Sequence, residues 1–523
     1  MGLSWLESMA TGLCRAFGRN FSVFYGLLIL LYGSVGLQSY GFEDEVFNIN
    51  LIEHFGLGTL SIVQQGDFHP PGSYALNIIM HAVLGDWSLV RMATGVIAAS
   101  LLLYLVNHIR NSHGTTSGLI AWCLIGLNPA TLMWCTSLRW YAFFVPVVAV
   151  LCVLPKPASG RGYWAKLMAG MLILGYLGYA AFVIFPPLFL LYWYNCTDKM
   201  AVRLRHIALT GGIAALLYLY QLVILFQFHL SRNGEQVSDI KSGLIGLAVT
   251  QFSNQGLFPV SFAGILSAAA MAVLIGLALA DSVKTRTFKV SYLAYAIACA
   301  ALVLTGLGGK VRNYLVVEPL KTLALGDIAR TAGTSRAFAT MSAIAAIILG
   351  NLWGCYNVAT HQGTSKNSWN MPVGAALATL DGLTRECGER PLVLAHDSLL
   401  LYWFVKSGYR TVGPVTGATT PTGIHEKCLV AVKSYRGSIR REKLTEIYTA
   451  LDQIHARSVT ISQLGRDSAF AIKQRIDPDY PEYAIEMIVK RDAVYDGLFD
   501  SWATYALASE RRLKNRRKHP NNQ

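Results

Sequence analysis

Hydrophobic residues along this chain come in blocks rather than at regular intervals. Runs rich in Leu, Ile, Val, Ala and Phe cover residues 21–39, 88–107, 115–134, 138–154, 207–228, 259–280, 290–307 and 337–356. Each is about the length that an apolar helix needs to cross a bilayer. The run at 167–196 is too long for one crossing and contains Gly175, Gly178, Pro186 and Pro187, so it predicts two short helices in a hairpin. Segment 314–328 is a further candidate span even though it carries Glu318 and Lys321. The pattern predicts about 11 helices, an all-α polytopic membrane bundle. After residue 365 the composition becomes that of a soluble domain. Short β-rich runs such as 391–395 (PLVLA) and 427–432 (KCLVAV) alternate with helical stretches such as 441–457, which predicts a small α/β domain. The division expected is a membrane domain over 1–360 and a soluble domain over 361–523.

Composition agrees with this reading. Of 523 residues, 53% are apolar and only 14% charged, against roughly 25% charged in soluble domains, which argues against a water-soluble enzyme. The 44 Lys and Arg against 30 Asp and Glu give a net charge of +14. The excess lies in short loops and a tail, with no aromatic-interleaved basic face, so nucleic acid is not an expected partner. It carries topology instead. Arg15 and Arg19 precede the first run and place the N-terminus inside, with the first helix retained rather than cleaved. The basic loops Lys156–Lys166, Lys199–Arg205, Lys284–Lys289 and Arg330–Arg336 then all fall inside when the hairpin counts as two spans. Residues 40–87, the 134–141 turn, the 229–258 loop, the 308–313 turn and the C-terminal domain are left on the outer face. The basic tail at 511–517 is tolerable there, because long domains translocate largely regardless of charge.

Nine cysteines form no metal-binding pattern. Cys387 and Cys428 lie in the polar C-terminal region and could pair if that region is exported. The GLGGK run at 306–310 lacks phosphate-loop spacing, so ATP-driven transport is unsupported.

The candidate chemistry gathers on the predicted outer face. Glu43, Asp44 and Glu45 follow the first span, ahead of an amphipathic stretch to Gly58 suited to lie on the bilayer. The same segment holds Asp67 and His69 before Pro70 and Pro71, a plausible acid/base cluster. Arg139, Trp140 and Tyr141 stand at the outer end of one helix pair, Lys310 and Arg312 at that of another. Arginine there runs against the positive-inside trend. Lipid head groups account for it in part, and an anionic ligand gripped by a guanidinium fork accounts for it well.

These residues resemble those of the GT-C superfamily of membrane glycosyltransferases. The resemblance rests on Asp44-Glu45 after the first helix, His69-Pro70-Pro71 before an apolar segment, the SLRWY run Ser137–Tyr141, and Arg312-Asn313-Tyr314-Leu315 before a Pro-containing helix. It extends over about residues 20–360 and is nearest to the protein mannosyltransferase and lipid A aminoarabinose transferase branch. The sequence departs from the pattern at Leu138 and in the Gly-rich turn before Arg312, which bears on substrate identity.

The resemblance implies a GT-C bundle with a small periplasmic domain, and an inverting transfer of one sugar. The donor would be a polyprenyl-phosphate-linked sugar and the acceptor an envelope glycan, lipid or protein. Asp44 would be the base and Glu45 would orient Asp44 or the acceptor. Arg312, with Lys310, His69 and Arg139, would hold the donor phosphate; Asp67, Tyr141 and Tyr314 would contact substrate. A divalent metal stays open: Asp44, Glu45, Asp67 and His69 could ligate one, though lipid-monophosphate donors often need none. A lean chain with no retention signal suits a bacterial inner membrane. Two alternatives stand beside this reading: an envelope polysaccharide ligase or polymerase using a diphosphate-linked donor, and a secondary transporter or flippase. A transporter would place ionisable groups near mid-membrane on broken helices and show an internal repeat.

Overall fold

The computed structural model describes residues 2–38, 43–66, 70–154, 160–231, 240–252, 262–285, 289–305, 311–326, 334–360, 373–395, 398–412, 424–436, 457–463 and 483–495. The chain divides into two compact units, Met1–Gly363 and Thr364–Gln523.

The first unit is helical among its described residues. Its order is α1 (Gly2–Arg19), α2 (Phe21–Gln38), α3 (Glu43–Phe55), α4 (Gly58–Gly66), α5 (Gly72–Leu84), α6 (Trp87–His113), α7 (Thr115–Ala121), α8 (Pro129–Cys135), α9 (Tyr141–Cys152), α10 (Gly160–Leu177), α11 (Ala181–Asn195), α12 (Met200–Ser231), α13 (Ile240–Leu247), α14 (Phe262–Thr285), α15 (Val290–Leu304), a 3₁₀ helix over Val311–Val317, α16 (Glu318–Gly326) and α17 (Thr334–Ala359). Among the described residues five stretches are long and apolar enough to cross a membrane, six if the bent pair α7–α8 is one span. Five more apolar helices have 10–17 residues, among them Gly72–Leu84, inside the segment assigned above to the outer surface. The protein is an integral membrane protein.

Local chemistry explains the elements that matter for the site. Asp86 caps α6 by accepting from the backbone of Ser88 at 2.8 Å and Leu89 at 3.1 Å, leaving fewer orphan amides at that end. Helices α2 and α6 cross at glycines: a Cβ on Gly36 would lie 2.6 Å from the Arg91 carbonyl, and one on Gly95 would lie 2.7 Å from that of Tyr32. Small residues let two backbones approach this closely in a membrane. The break in the 167–196 run falls at Gly178–Ala180, whereas Pro186 and Pro187 lie inside α11.

The span predicted at 115–134 is broken. Helix α7 passes into a π turn over Trp122–Gly126, and α8 leaves at 57°. Asn128 caps α8, accepting from Ala130 and Thr131 at 2.9 and 3.2 Å, with Pro129 in the first turn. The carbonyls of the break find donors elsewhere. Asn351 reaches Cys123 at 2.6 Å, Tyr32 reaches Gly126 at 3.1 Å and the Cys355 thiol reaches Leu127 at 3.2 Å. The bend re-aims α8 and the turn that follows it.

In the second unit five strands form one sheet in the order β2-β1-β3-β5-β4: β1 (Leu392–Ala395), β2 (Arg410–Val412), β3 (Ile424–Arg436), β4 (Arg457–Gln463) and β5 (Tyr483–Tyr495). Strand β1 runs parallel to β2 and β3, and β5 is antiparallel to β3 and β4. Among the described residues two helices accompany them, α18 (Val373–Cys387) before β1 and α19 (Ser398–Lys406) after it. The predicted strands at 391–395 and 427–432 coincide with β1 and part of β3. Residues 441–456 of the predicted helix, and the 511–517 tail, lie outside the described residues. A disulfide joins Cys387 at the end of α18 to Cys428 on β3, with Cα atoms 6.1 Å apart.

Candidate active site

Ser137–Trp140, read above as an external turn, is buried. Its backbone is tied down by polar side chains from two helices distant in sequence. Glu45, in the first turn of α3, accepts the Leu138 amide on Oε1 at 2.6 Å. Its Oε2 lies 3.3 Å from Nε of Arg91 on α6, and both side chains are fully buried. The Leu138 carbonyl accepts from Asn77 of α5 at 2.9 Å and from Asn48 at 3.4 Å. Asn48 stands three residues after Glu45, hence on the same helix face, and its Oδ1 accepts from Nη1 of Arg139 at 3.3 Å. The departure from the family pattern at Leu138 therefore falls where the backbone makes the polar contacts.

The far side of this turn meets the 3₁₀ helix. The Tyr141 hydroxyl donates to Oδ1 of Asn313 at 2.9 Å. Its ring stacks on Trp140 at 3.8 Å and lies 5.4 Å from that of Trp134. The Arg312 guanidinium sits over Trp134, 5.6 Å from the ring centroid, at cation–π range. One buried aromatic turn thus links the acidic start of α3 to the segment bearing Arg312.

Of the residues singled out from sequence, Glu45, Arg139, Tyr141 and Arg312 come together here. Asp44 precedes Glu45 as the second residue of α3. The side chain of Asp44, and Asp67, His69 and Lys310 entirely, lie outside the described residues. Two assignments need restating. Glu45 is fully buried, with its oxygens on Arg91 and the Leu138 amide, so it ties α3 to the turn and to α6. Tyr314 is buried with its hydroxyl on the Gly243 carbonyl at 2.6 Å, toward α13. No group of three His, Cys, Asp or Glu able to hold a metal occurs among the described residues. Glu45, committed as it is, does not fit the part of a ligand.

Sequence reasoning missed Arg91, Asn48 and Asn77. Arg91 carried a signal, a full charge four residues into an apolar run. The asparagines carried only their spacing.

The family described as the 4TM region of DNA translocase FtsK/SpoIIIE matches residues 165–289, a stretch of apolar helices that includes none of the site. No curated protein matches the sequence. Among solved structures the chain is similar to ArnT from Cupriavidus metallidurans bound to undecaprenyl phosphate, with a TM-score of 0.50 at 11% identity, over 90% of this chain and 98% of that one. The apo state of that protein aligns over the same shares at 12% identity and a TM-score of 0.48. The likeness is one of fold: a helical membrane protein folded like ArnT.

Proposed function

We propose that this protein is a glycosyltransferase that moves one sugar from a polyprenyl-phosphate donor to a cell-envelope acceptor, with inversion, at the outer face of a bacterial inner membrane. The observation that carries this reading is the convergence of the acidic start of α3 and the Arg312 segment on one buried turn. A fold like that of a protein crystallised with undecaprenyl phosphate supports the lipid-phosphate donor. The Cys387–Cys428 disulfide supports an oxidising compartment for the second unit.

Single displacement at an anomeric carbon requires a base for the acceptor hydroxyl and cations for the departing lipid phosphate. Asp44 takes the proton. Glu45, bonded to Arg91 and Leu138, fixes the helix turn that carries Asp44. Arg312, set on the Trp134 ring, neutralises phosphate oxygens as they gain charge, assisted by Lys310 and His69. Arg139 and Tyr141 line the donor side, and Asp67 serves to contact substrate. Protein cations suffice for a single phosphate, so a divalent ion has no assigned part. Mass spectrometry of envelope glycans and lipid-linked sugars tests the reading in cells expressing wild type or Asp44→Asn at equal levels. The variant is expected to lose one glycosylated product and accumulate its lipid-linked donor. An unchanged profile overturns the assignment of Asp44.

A further inference from the structure

Residues Glu318 and Lys321 looked like blemishes in a span; in the folded chain they belong to a closed polar network beside the Arg312 segment. Nζ of Lys321 lies 2.5 Å from Oε2 of Glu318, and both residues are buried. The other carboxylate oxygen, Oε1, accepts from Nε2 of Gln251 at 2.8 Å. Gln251 sits in a π turn over Ala248–Phe252, and its Oε1 accepts from the Tyr295 hydroxyl of α15 at 3.0 Å. The same Nε2 lies 3.4 Å from the Tyr314 carbonyl, within the 3₁₀ helix itself. Tyr314 anchors that helix again through its hydroxyl on Gly243.

A buried ion pair adds little stability over apolar side chains of the same size, so stability is a weak reason for its presence. Its position suggests a better one. A seven-residue 3₁₀ helix is longer than usual and has poor internal hydrogen-bond geometry, so its register needs outside support. Support comes from Asn313 on one side, and from Tyr314 and Glu318 on the other. We infer that Gln251, Glu318 and Lys321 form a positioning network that holds the 3₁₀ helix in the register placing Arg312 against the donor phosphate. None of the three contacts the phosphate; they act through Arg312. This rests on the donor reading above.

The test measures binding of undecaprenyl phosphate to the purified full-length protein, alongside acceptor KM and thermal stability. Gln251→Leu is expected to weaken binding about tenfold, the scale of one lost hydrogen bond to a charged group, with acceptor KM unchanged. Tyr295→Phe, which keeps the packing, should weaken the same quantity by about two- to threefold. Glu318→Gln combined with Lys321→Met removes both charges while keeping a partner for Gln251, and should bind within about threefold of wild type. In an Arg312→Ala background, Gln251→Leu should add no further loss. Full additivity there, or wild-type binding in Gln251→Leu and Tyr295→Phe despite lowered stability, overturns the inference. If wild type does not bind undecaprenyl phosphate, the donor reading itself fails, a distinguishable result.

Discussion

Glu45 and Leu138, 93 residues apart, are joined by a 2.6 Å hydrogen bond from a backbone amide to a fully buried carboxylate. This bond and the Tyr141–Asn313 bond at 2.9 Å make one turn the meeting point of three segments.

Glu45→Ala leaves the buried Arg91 without its carboxylate, a change that costs about 3–5 kcal/mol where a buried pair is broken on one side. Thermal unfolding in detergent should show a large drop. Glu45→Gln, which can still accept from Leu138, should fall between this variant and wild type. Equal stability for all three proteins would mean that Glu45 does not organise the turn.

Tyr141→Phe keeps the Trp140 stack and deletes the bond to Asn313. The loss expected is about 0.5–1.5 kcal/mol, and it should raise the donor KM because it loosens the Arg312 segment. Unchanged donor kinetics would separate Tyr141 from the donor side.

Arg312→Ala should reduce turnover by about 10²–10³, the range for removing one donor that stabilises developing negative charge. Arg312→Lys keeps the charge but loses the planar fork and its stacking on Trp134, so it should recover only part of the rate. Full activity in the alanine variant would remove Arg312 from the phosphate.

The Cys387–Cys428 bridge closes a separation of 41 residues. If the second unit faces outward, a membrane-impermeant thiol reagent should label these cysteines on intact cells only after reduction. The Cys387→Ala/Cys428→Ala variant should lose about 2–4 kcal/mol from that unit. Labelling confined to permeabilised cells would place the unit inside.

The helical membrane architecture was legible because block hydrophobicity is a local property: α2, α6, α12, α14 and α17 each announce themselves within one window of sequence. Asp44-Glu45 were legible from their place just after the first span, and Arg139 and Arg312 as cations on a face where the positive-inside trend disfavours them. The partners of those charges were not. Nothing near Arg91 indicates Glu45, 46 residues away, and an asparagine such as Asn77 reads as an ordinary polar break in a helix until the Leu138 carbonyl is beside it. The bend between α7 and α8 is equally silent, since its carbonyls are satisfied by Asn351 and Cys355 from the far end of the unit. The bond from the Tyr314 hydroxyl to Gly243 was silent for a related reason, because motif order gives a residue's place in the chain but not which way its side chain turns.

The most direct measurement is turnover by the purified protein in proteoliposomes containing a polyprenyl-phosphate sugar and an envelope extract as acceptor. Wild type should release free polyprenyl phosphate in step with one glycosylated product. Asp44→Asn should bind the donor lipid and release none, while Arg312→Ala should bind it measurably more weakly and turn over about 10²–10³ more slowly. Movement of a solute or lipid across the bilayer without sugar transfer, or turnover by Asp44→Asn at the wild-type rate, would contradict the account.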